Sequence, residues 1–369
     1  MKNTLGTNVR LTLFGESHGP CVGAVLDGLC PGIAVREEEI ARQMRRRQGL
    51  AALSTARREA DRVVIDSGVF RGKTTGTPLC LRIANENTKS ADYEKTQTLV
   101  RPSHADLCAQ YKYHGFADPR GGGHFSGRLT AALCAAGGIL LPALRQKGIF
   151  IYSHVLCCAG VYDRPFSAAD SSAIQKDGEV LAEAPFAVSD AVAKEKMMQA
   201  VAAAKAEGDS VGGIIETAVL GVPAGLGEPW FDTVEGMLAN ALFSVPAVKG
   251  VEFGAGFSFA DLRGSVANDP YRMKNGAIVT QTNRSGGVQG GITNGMPILF
   301  RTAVKPTPSI YREQKTVDFK TRTEQTLKIE GRHDPAIVAR AAAVLDAVTA
   351  LVLCDLCSGR FGTDFLREA

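Results

Sequence analysis

The chain has 369 residues, 45% of them hydrophobic and 22% charged, with 42 Lys and Arg against 38 Asp and Glu for a formal net charge of +4. Such values belong to a folded globular protein and exclude a disordered chain, a collagen and a coiled coil. The positive excess is too small to mark a nucleic-acid binder, so any basicity that matters has to be local. Glycines, 40 in all, are spread evenly and no Pro/Ser-rich linker interrupts them, which predicts one domain over 1–369. No apolar run reaches the roughly 18 residues of a membrane span, and the first ten residues are polar, so the expected location is the cytoplasm with no membrane partner. The nine cysteines, odd in number and set in apolar surroundings, read as reduced thiols. Cys354 and Cys357 make one CxxC, but with no second pair no metal site is expected.

In chain order, alternating or β-branched runs predict strands at 10–14, 62–67, 78–83, 213–220, 277–282 and 297–302. Helical spacing predicts helices at 37–47, 126–146, 189–207, 231–242 and 335–356. The first helix opens on three glutamates and closes on three arginines, which complements its dipole. The second is rich in Ala and Gly, fit for an interior position, with a kink expected at Pro142. Strands and helices follow no strict βαβ order, so the fold class is α+β, a mixed α/β arrangement.

Four polar segments stand out. Phe14-Gly15-Glu16-Ser17-His18-Gly19 holds an acid, a hydroxyl and an imidazole between glycines, either as a ligand loop or as a tight turn. Arg101-Pro102-Ser103-His104-Ala105-Asp106 is followed by Asp118 to Arg128, where three glycines open onto a helix start. That makes an anion site, or else a linker with Ser126 as N-cap. The segment 283–291 and Lys305-Pro306-Thr307-Pro308-Ser309 combine close backbone approach with a charge and hydroxyl donors. In Glu330 to Pro335, Asp334 before Pro335 reads first as a helix N-cap. Arg45-Arg46-Arg47 and Arg57-Arg58 lack interleaved aromatics, so a small polyanion is a better partner for them than nucleic acid.

Taken together and in this order, these segments resemble the chorismate synthase family from about Thr7 to Leu356. The matching stretches are the GESHG loop with 22–28 behind it, RPxHAD at 101–106, GGGxxSxR at 121–128, 208–212, 221–229, 247–252, KPTxSI at 305–310 and GRHDP at 331–335. The resemblance implies a lyase that removes phosphate from 5-enolpyruvylshikimate 3-phosphate by 1,4-anti elimination, giving chorismate, with reduced FMN and no net redox change. It further implies a sandwich with helices between two antiparallel sheets, a homotetramer, an association with NADP and an external flavin reductant. His18 would be the acid beside the leaving phosphate, His104 would tune the flavin, and Asp334 would accept the proton. Arg46, Arg101, Arg128 and Arg332 would clamp the anionic groups. His124, Phe125, Ser126, Pro246, Ala247, Gly290, Lys305, Pro306, Thr307, Pro308, Ser309 and again Arg332 would meet the flavin. Net electron transfer by a flavin oxidoreductase, or carriage of a flavin without catalysis, are the competing readings.

The chain departs from the family pattern at several places. His124-Phe125 stands where many members have Arg-Ser, and Pro246 stands where many have Asn. A ligand-binding arginine usual six residues beyond Arg46 is replaced by Ala52, for which Arg57 could substitute. His114 is an extra residue in Lys112-Tyr113-His114-Gly115. His154, outside every motif, is expected to be dispensable.

Overall fold

The structure is a computed structural model describing residues 2–48, 61–86, 98–329 and 333–368. A first antiparallel sheet is built from β1 (Thr4–Leu5), β2 (Arg10–Gly15), β3 (Cys21–Asp27), β4 (Val63–Ser67) and β5 (Leu79–Ala84), in the spatial order β1-β2-β3-β5-β4. A second comprises β6 (Phe150–Cys158), β7 (Val161–Tyr162), β8 (Gly213–Leu220), β9 (Val248–Phe253) and β10 (Ile298–Val304), in the order β9-β10-β8-β6-β7 and again antiparallel.

Between the sheets lie α1 (Glu37–Gln48), α2 (Thr130–Gln146) and α6 (Val338–Phe361), with α2 packed on β3 and β5 and α6 on β6 and β8. The helices can approach closely because α2 carries two adjacent glycines on its contact faces. A Cβ at Gly137 would lie 2.5 Å from that of Ala347 on α6, and one at Gly138 would lie 2.5 Å from the Ile40 Cα on α1. The Ala/Gly richness of α2 therefore has the expected meaning, but the helix runs unbroken through Pro142. Both α2, with the turn before it, and α6 are long and apolar enough to cross a membrane, contrary to the expectation from the sequence. They are the core instead, with 83% and 94% of their most apolar windows buried.

Two further helices flank this sandwich, α3 (Ser171–Glu183) and α4 (Ala191–Ala206), and α5 (Val234–Ser244) packs on α6 and β9. The sequence pattern missed α3, which covers the far face of the second sheet. Ile174 and Leu181 meet Tyr152, Ala218 and Leu220 there, while Ile215 and Val219 of β8 point to the main core. Strand alternation thus feeds two cores from one sheet. The predicted strand at 277–282 is only a small exposed hairpin, Tyr271–Lys274 with Ala277–Thr280, outside both sheets.

The centre of the second sheet is polar. His154 on β6 is fully buried, with Nδ1 3.2 Å from Asp163 and Nε2 3.1 Å from Glu216. Glu216 also takes Arg301 Nε at 3.0 Å and the Phe166 amide at 2.6 Å. Burial alone would push the imidazole pKa down, but the two carboxylates outweigh it and the pKa is raised. The expectation that His154 is dispensable is therefore corrected. His154→Ala should remove the partner shared by two buried carboxylates and lower stability by about 3–5 kcal/mol, read from the denaturant midpoint; a midpoint equal to the parent's would refute this. A raised histidine pKa gives stability that is complete below its ordinary value of 6.5 and is lost as pH rises through the folded value, so the parent should weaken on the alkaline side.

Candidate active site

The GESHG loop follows β2, and the triple-glycine loop folds back onto it. Ser17 N donates to Gly123 O at 3.1 Å, and His124 Nδ1 donates to Gly15 O at 2.9 Å. Gly121, Gly122 and Gly123 all have positive φ, at 59°, 84° and 52°, a path that residues with side chains rarely adopt. At Gly121 a Cβ would also fall 2.6 Å from His18 Cε1, so glycine there is what allows the backbone to lie on the imidazole. Ser126 then caps the following turn, its Oγ accepting from Arg128 N at 3.3 Å, in line with the N-cap reading.

These loops form part of the wall of a cavity of about 1540 Å³ between the sheets. Of the site residues expected from the sequence, the cavity brings together His18, Arg101, His104, His124, Phe125, Ser126, Arg128, Pro246, Ala247, Lys305, Thr307, Pro308, Ser309 and Asp334. It leaves out Gly290, in the turn between Val288–Gln289 and Ile292–Thr293, and also Pro306 and Arg46. Arg332, Ala52 and Arg57 lie outside the described residues.

The exclusion of Arg46 corrects the expected substrate clamp. Its guanidinium turns into the interior, 2.7 Å from the buried carboxylate of Asp346 on α6, and the neighbouring Arg47 lines the cavity instead. Arg47 donates to Asp61 at 3.1 Å and to Thr130 Oγ1 at 3.0 Å. The same Asp61 carboxylate is bonded by Arg128, so one buried acid holds two arginines. Helical spacing holds the signal for this choice, since Arg47 continues the buried stripe of Ile40 and Met44 on α1. Asp61 and Asn85 carried no such local signal.

Asp334 is not an N-cap. The helix starts only at Val338, with Ile337 at the cap position and no side-chain cap, because residues 335–337 are not yet helical. Its carboxylate pairs with Arg340, which also donates Nε to Arg47 O at 3.1 Å. Arg101 is held by Asp106 through two guanidinium bonds of 2.8 and 2.7 Å. Phe125 meets the edge of Tyr113 at 5.9 Å between centroids, and the extra residue His114 is absorbed in a left-handed turn at φ 54°.

His104 sits between two segments of the site. Its Nδ1–H donates to Pro102 O at 3.0 Å, which fixes the tautomer and leaves Nε2 to accept from Ser309 Oγ at 2.9 Å. Lys305 Nζ donates to Ser103 O at 2.7 Å and ties the same two segments together. Burial, and then the charge of Arg101, bring the His104 pKa down to about 4, so at neutral pH it is an uncharged hydrogen-bonding group and not the near-neutral titrator that its residue type suggests. The unfolded chain takes up this proton first, so the histidine's share of stability is complete above about 6.5 and is lost as pH falls towards 4. Ser309→Ala should raise the His104 pKa, because the lost donor served only the neutral ring; an unchanged NMR titration of His104 would show that the hydroxyl does not donate.

Among the described residues, the cavity wall carries eight Lys and Arg (Lys2, Arg47, Arg101, Arg128, Lys249, Lys305, Lys320, Arg340) and four Asp (Asp61, Asp106, Asp118, Asp334). Among these residues the cations outnumber the carboxylates by four. Cys354 and Cys357 lie elsewhere, buried in α6, where burial holds Cys354 well above the ordinary thiol range and Cys357 at about 12.

Arginines held by buried or half-buried carboxylates, together with His18, His104 and His124, line one cavity, the arrangement of a site for a small anionic molecule. Comparison with known proteins makes the class specific. The family described as chorismate synthase matches residues 9–357. A chorismate synthase of Pyrococcus abyssi is 47% identical over 350 residues, 95% of this chain and 96% of that protein. One from Dehalococcoides mccartyi is 45% identical over 360 residues, covering 96% of each. A crystal structure of chorismate synthase superposes with a TM-score of 0.78 at 30% identity, covering 98% of this chain and 94% of that one. The chain belongs to the chorismate synthase family. It is accordingly a lyase of the shikimate pathway, which leads to the aromatic amino acids.

Proposed function

We propose that the protein removes phosphate from 5-enolpyruvylshikimate 3-phosphate by 1,4-anti elimination, forming chorismate with reduced FMN present and no net redox change. The observation that carries this reading is the cationic excess of four in a cavity of about 1540 Å³. Pockets for one small ligand span roughly 300–1,000 Å³, so the space suits two molecules, and a substrate with one phosphate and two carboxylates suits the charge.

The residues present fit FMN on one side of the cavity. Gly122 offers open backbone, where a Cβ would meet nothing closer than 3.8 Å, and Phe125, His104, Pro246, Ala247, Lys305, Thr307, Pro308 and Ser309 supply an apolar face, donors and a charge. When bound, the reduced flavin would supply electron density as phosphate leaves. Arg47, Arg101, Arg128 and Arg340 bind the anionic groups, and exclusion of water by the bound ligands would strengthen each contact. His18 donates a proton to the departing phosphate, and Asp334 accepts the one lost from C6. The leaving phosphate takes the bonding pair, the ring gains a second double bond, and no electron is left over. His104, kept neutral and with both ring nitrogens engaged by Pro102 O and Ser309 Oγ, would pack against the cofactor without adding a charge.

A homotetramer in the cytoplasm, served by an external flavin reductant, completes the reading. Trp230, Phe231 and Phe257 are each more than three-quarters exposed, which supports association with further subunits. The test is anaerobic phosphate release from the substrate with photoreduced FMN. Many phosphates per reduced flavin are expected. One reductant consumed per product would indicate an oxidoreductase, and no phosphate a carrier.

A further inference from the structure

We propose that Asn85 is a positioning residue for this reaction, fixing the His18 loop and the Arg128 guanidinium in one geometry through a single amide. The inference rests on the function proposed above, but its geometry does not. Strand β5 pairs with β3 in the register Cys21↔Ala84, which delivers the residue after β5 directly to the GESHG loop. There the Asn85 backbone amide donates to Pro20 O at 3.1 Å. Its side-chain Nδ2 donates to Glu16 O at 2.9 Å and Gly19 O at 2.8 Å, the two carbonyls that flank Ser17 and His18. Its Oδ1 accepts from Arg128 Nε at 3.0 Å. Arg128 is held on its other sides by the Asp61 carboxylate and by Ala84 O at 3.1 Å.

This use of one side chain is specific to asparagine. Two donors and one acceptor in a plane are all engaged, so the amide orientation is set by its partners: reversed, it would put NH2 against the arginine N–H and oxygen against two carbonyls. Aspartate would keep the arginine bond and set a carboxylate oxygen against the loop carbonyls. Serine is too short to span them. The acid proposed for the leaving phosphate and an arginine proposed to bind the substrate's anionic groups are thus spaced by a residue that itself need touch neither substrate nor cofactor. Since misplacing catalytic groups by about 1 Å can cost on the order of a hundredfold in rate, the effect should appear in turnover.

The experiment compares Asn85→Ser, Arg128→Lys and their double variant in the full protein, by melting temperature and by steady-state anaerobic phosphate release. Asn85→Ser should stay folded, lose at least about tenfold in kcat/KM with most of it in kcat, and add little to the loss caused by Arg128→Lys. A spacer that was only structural would lower the melting temperature and leave kcat alone. Activity within twofold of the parent, or losses that multiply in the double variant, would overturn the proposal. Should Asn85→Ser fail to fold, Asn85→Asp decides by the same readings. A second measurement needs no turnover: the Arg128 Nε–H resonance and the amides of Ser17 to Gly19 should shift together in the ligand-free variant, and unmoved resonances would refute the linkage. If the parent releases no phosphate while these resonances do shift, the proposed function falls and the linkage stands.

Discussion

Asp334→Asn should melt close to the parent yet turn over at least about a hundredfold more slowly, the usual size of a general base's contribution. The structural partner that matters is Arg340, whose side chain is 30% exposed beside an aspartate that is 12% exposed. An asparagine oxygen still accepts a bond from that guanidinium, and no cap is lost because Ile337, not Asp334, occupies the cap position. What disappears is the carboxylate as a proton acceptor. Asp334→Ala also leaves Arg340 without this partner and should be less stable than the asparagine variant. Melting curves and anaerobic phosphate release on the two variants separate the effects. A fully active Asp334→Asn enzyme would take the residue out of proton transfer and leave that step to His18 and water.

His18→Ala should lose about 10²- to 10⁴-fold in turnover, as expected for removal of a general acid, while the fold persists. A second substitution reaches the same imidazole from outside. Gly121→Ala places a methyl group 2.6 Å from His18 Cε1 and on a backbone at φ 59°, so either the ring or the loop must shift. It should therefore reproduce much of the His18 loss without removing any titratable group. His104→Ala is also expected to be slow, but through lost contact with the cofactor, and its pH–rate profile should show no limb near 6.5 arising from this residue in the parent. A His18→Ala enzyme with a near-parental rate would move the acid role to another group.

The sequence was most informative where local rules and burial agree. Three glutamates and three arginines bounded α1 within one residue, and the β-branched run of β8 was read to its ends. Strand β6 was missed because both of its faces are covered, so its sequence shows no alternation. In the site, the glycines and histidines were legible because their spacing is local. The partners were not: His154 meets Glu216 from 62 positions away, and Arg46 turns to Asp346, three hundred positions on. Asp334 before Pro335 satisfied a local capping rule, yet the helix begins later because the segment first reaches across to the cavity.

A set of hydrogen bonds between distant parts of the chain bears on how it is made. Asp355, buried near the end of α6, accepts the backbone amides of Thr7, Asn8 and Val9 at 2.9, 2.6 and 3.0 Å. The turn between β1 and β2 is therefore closed by a residue 346 to 348 positions further along the chain. Until α6 leaves the ribosome, the inner faces of both sheets lack their shared filling, and these amides must be satisfied by water. Contacts so distant in sequence slow folding and prolong the exposure of apolar surface. A nascent chain should thus depend on chaperones until α6 has been made, and truncation before Asp355 should leave an aggregation-prone chain and not a smaller folded one.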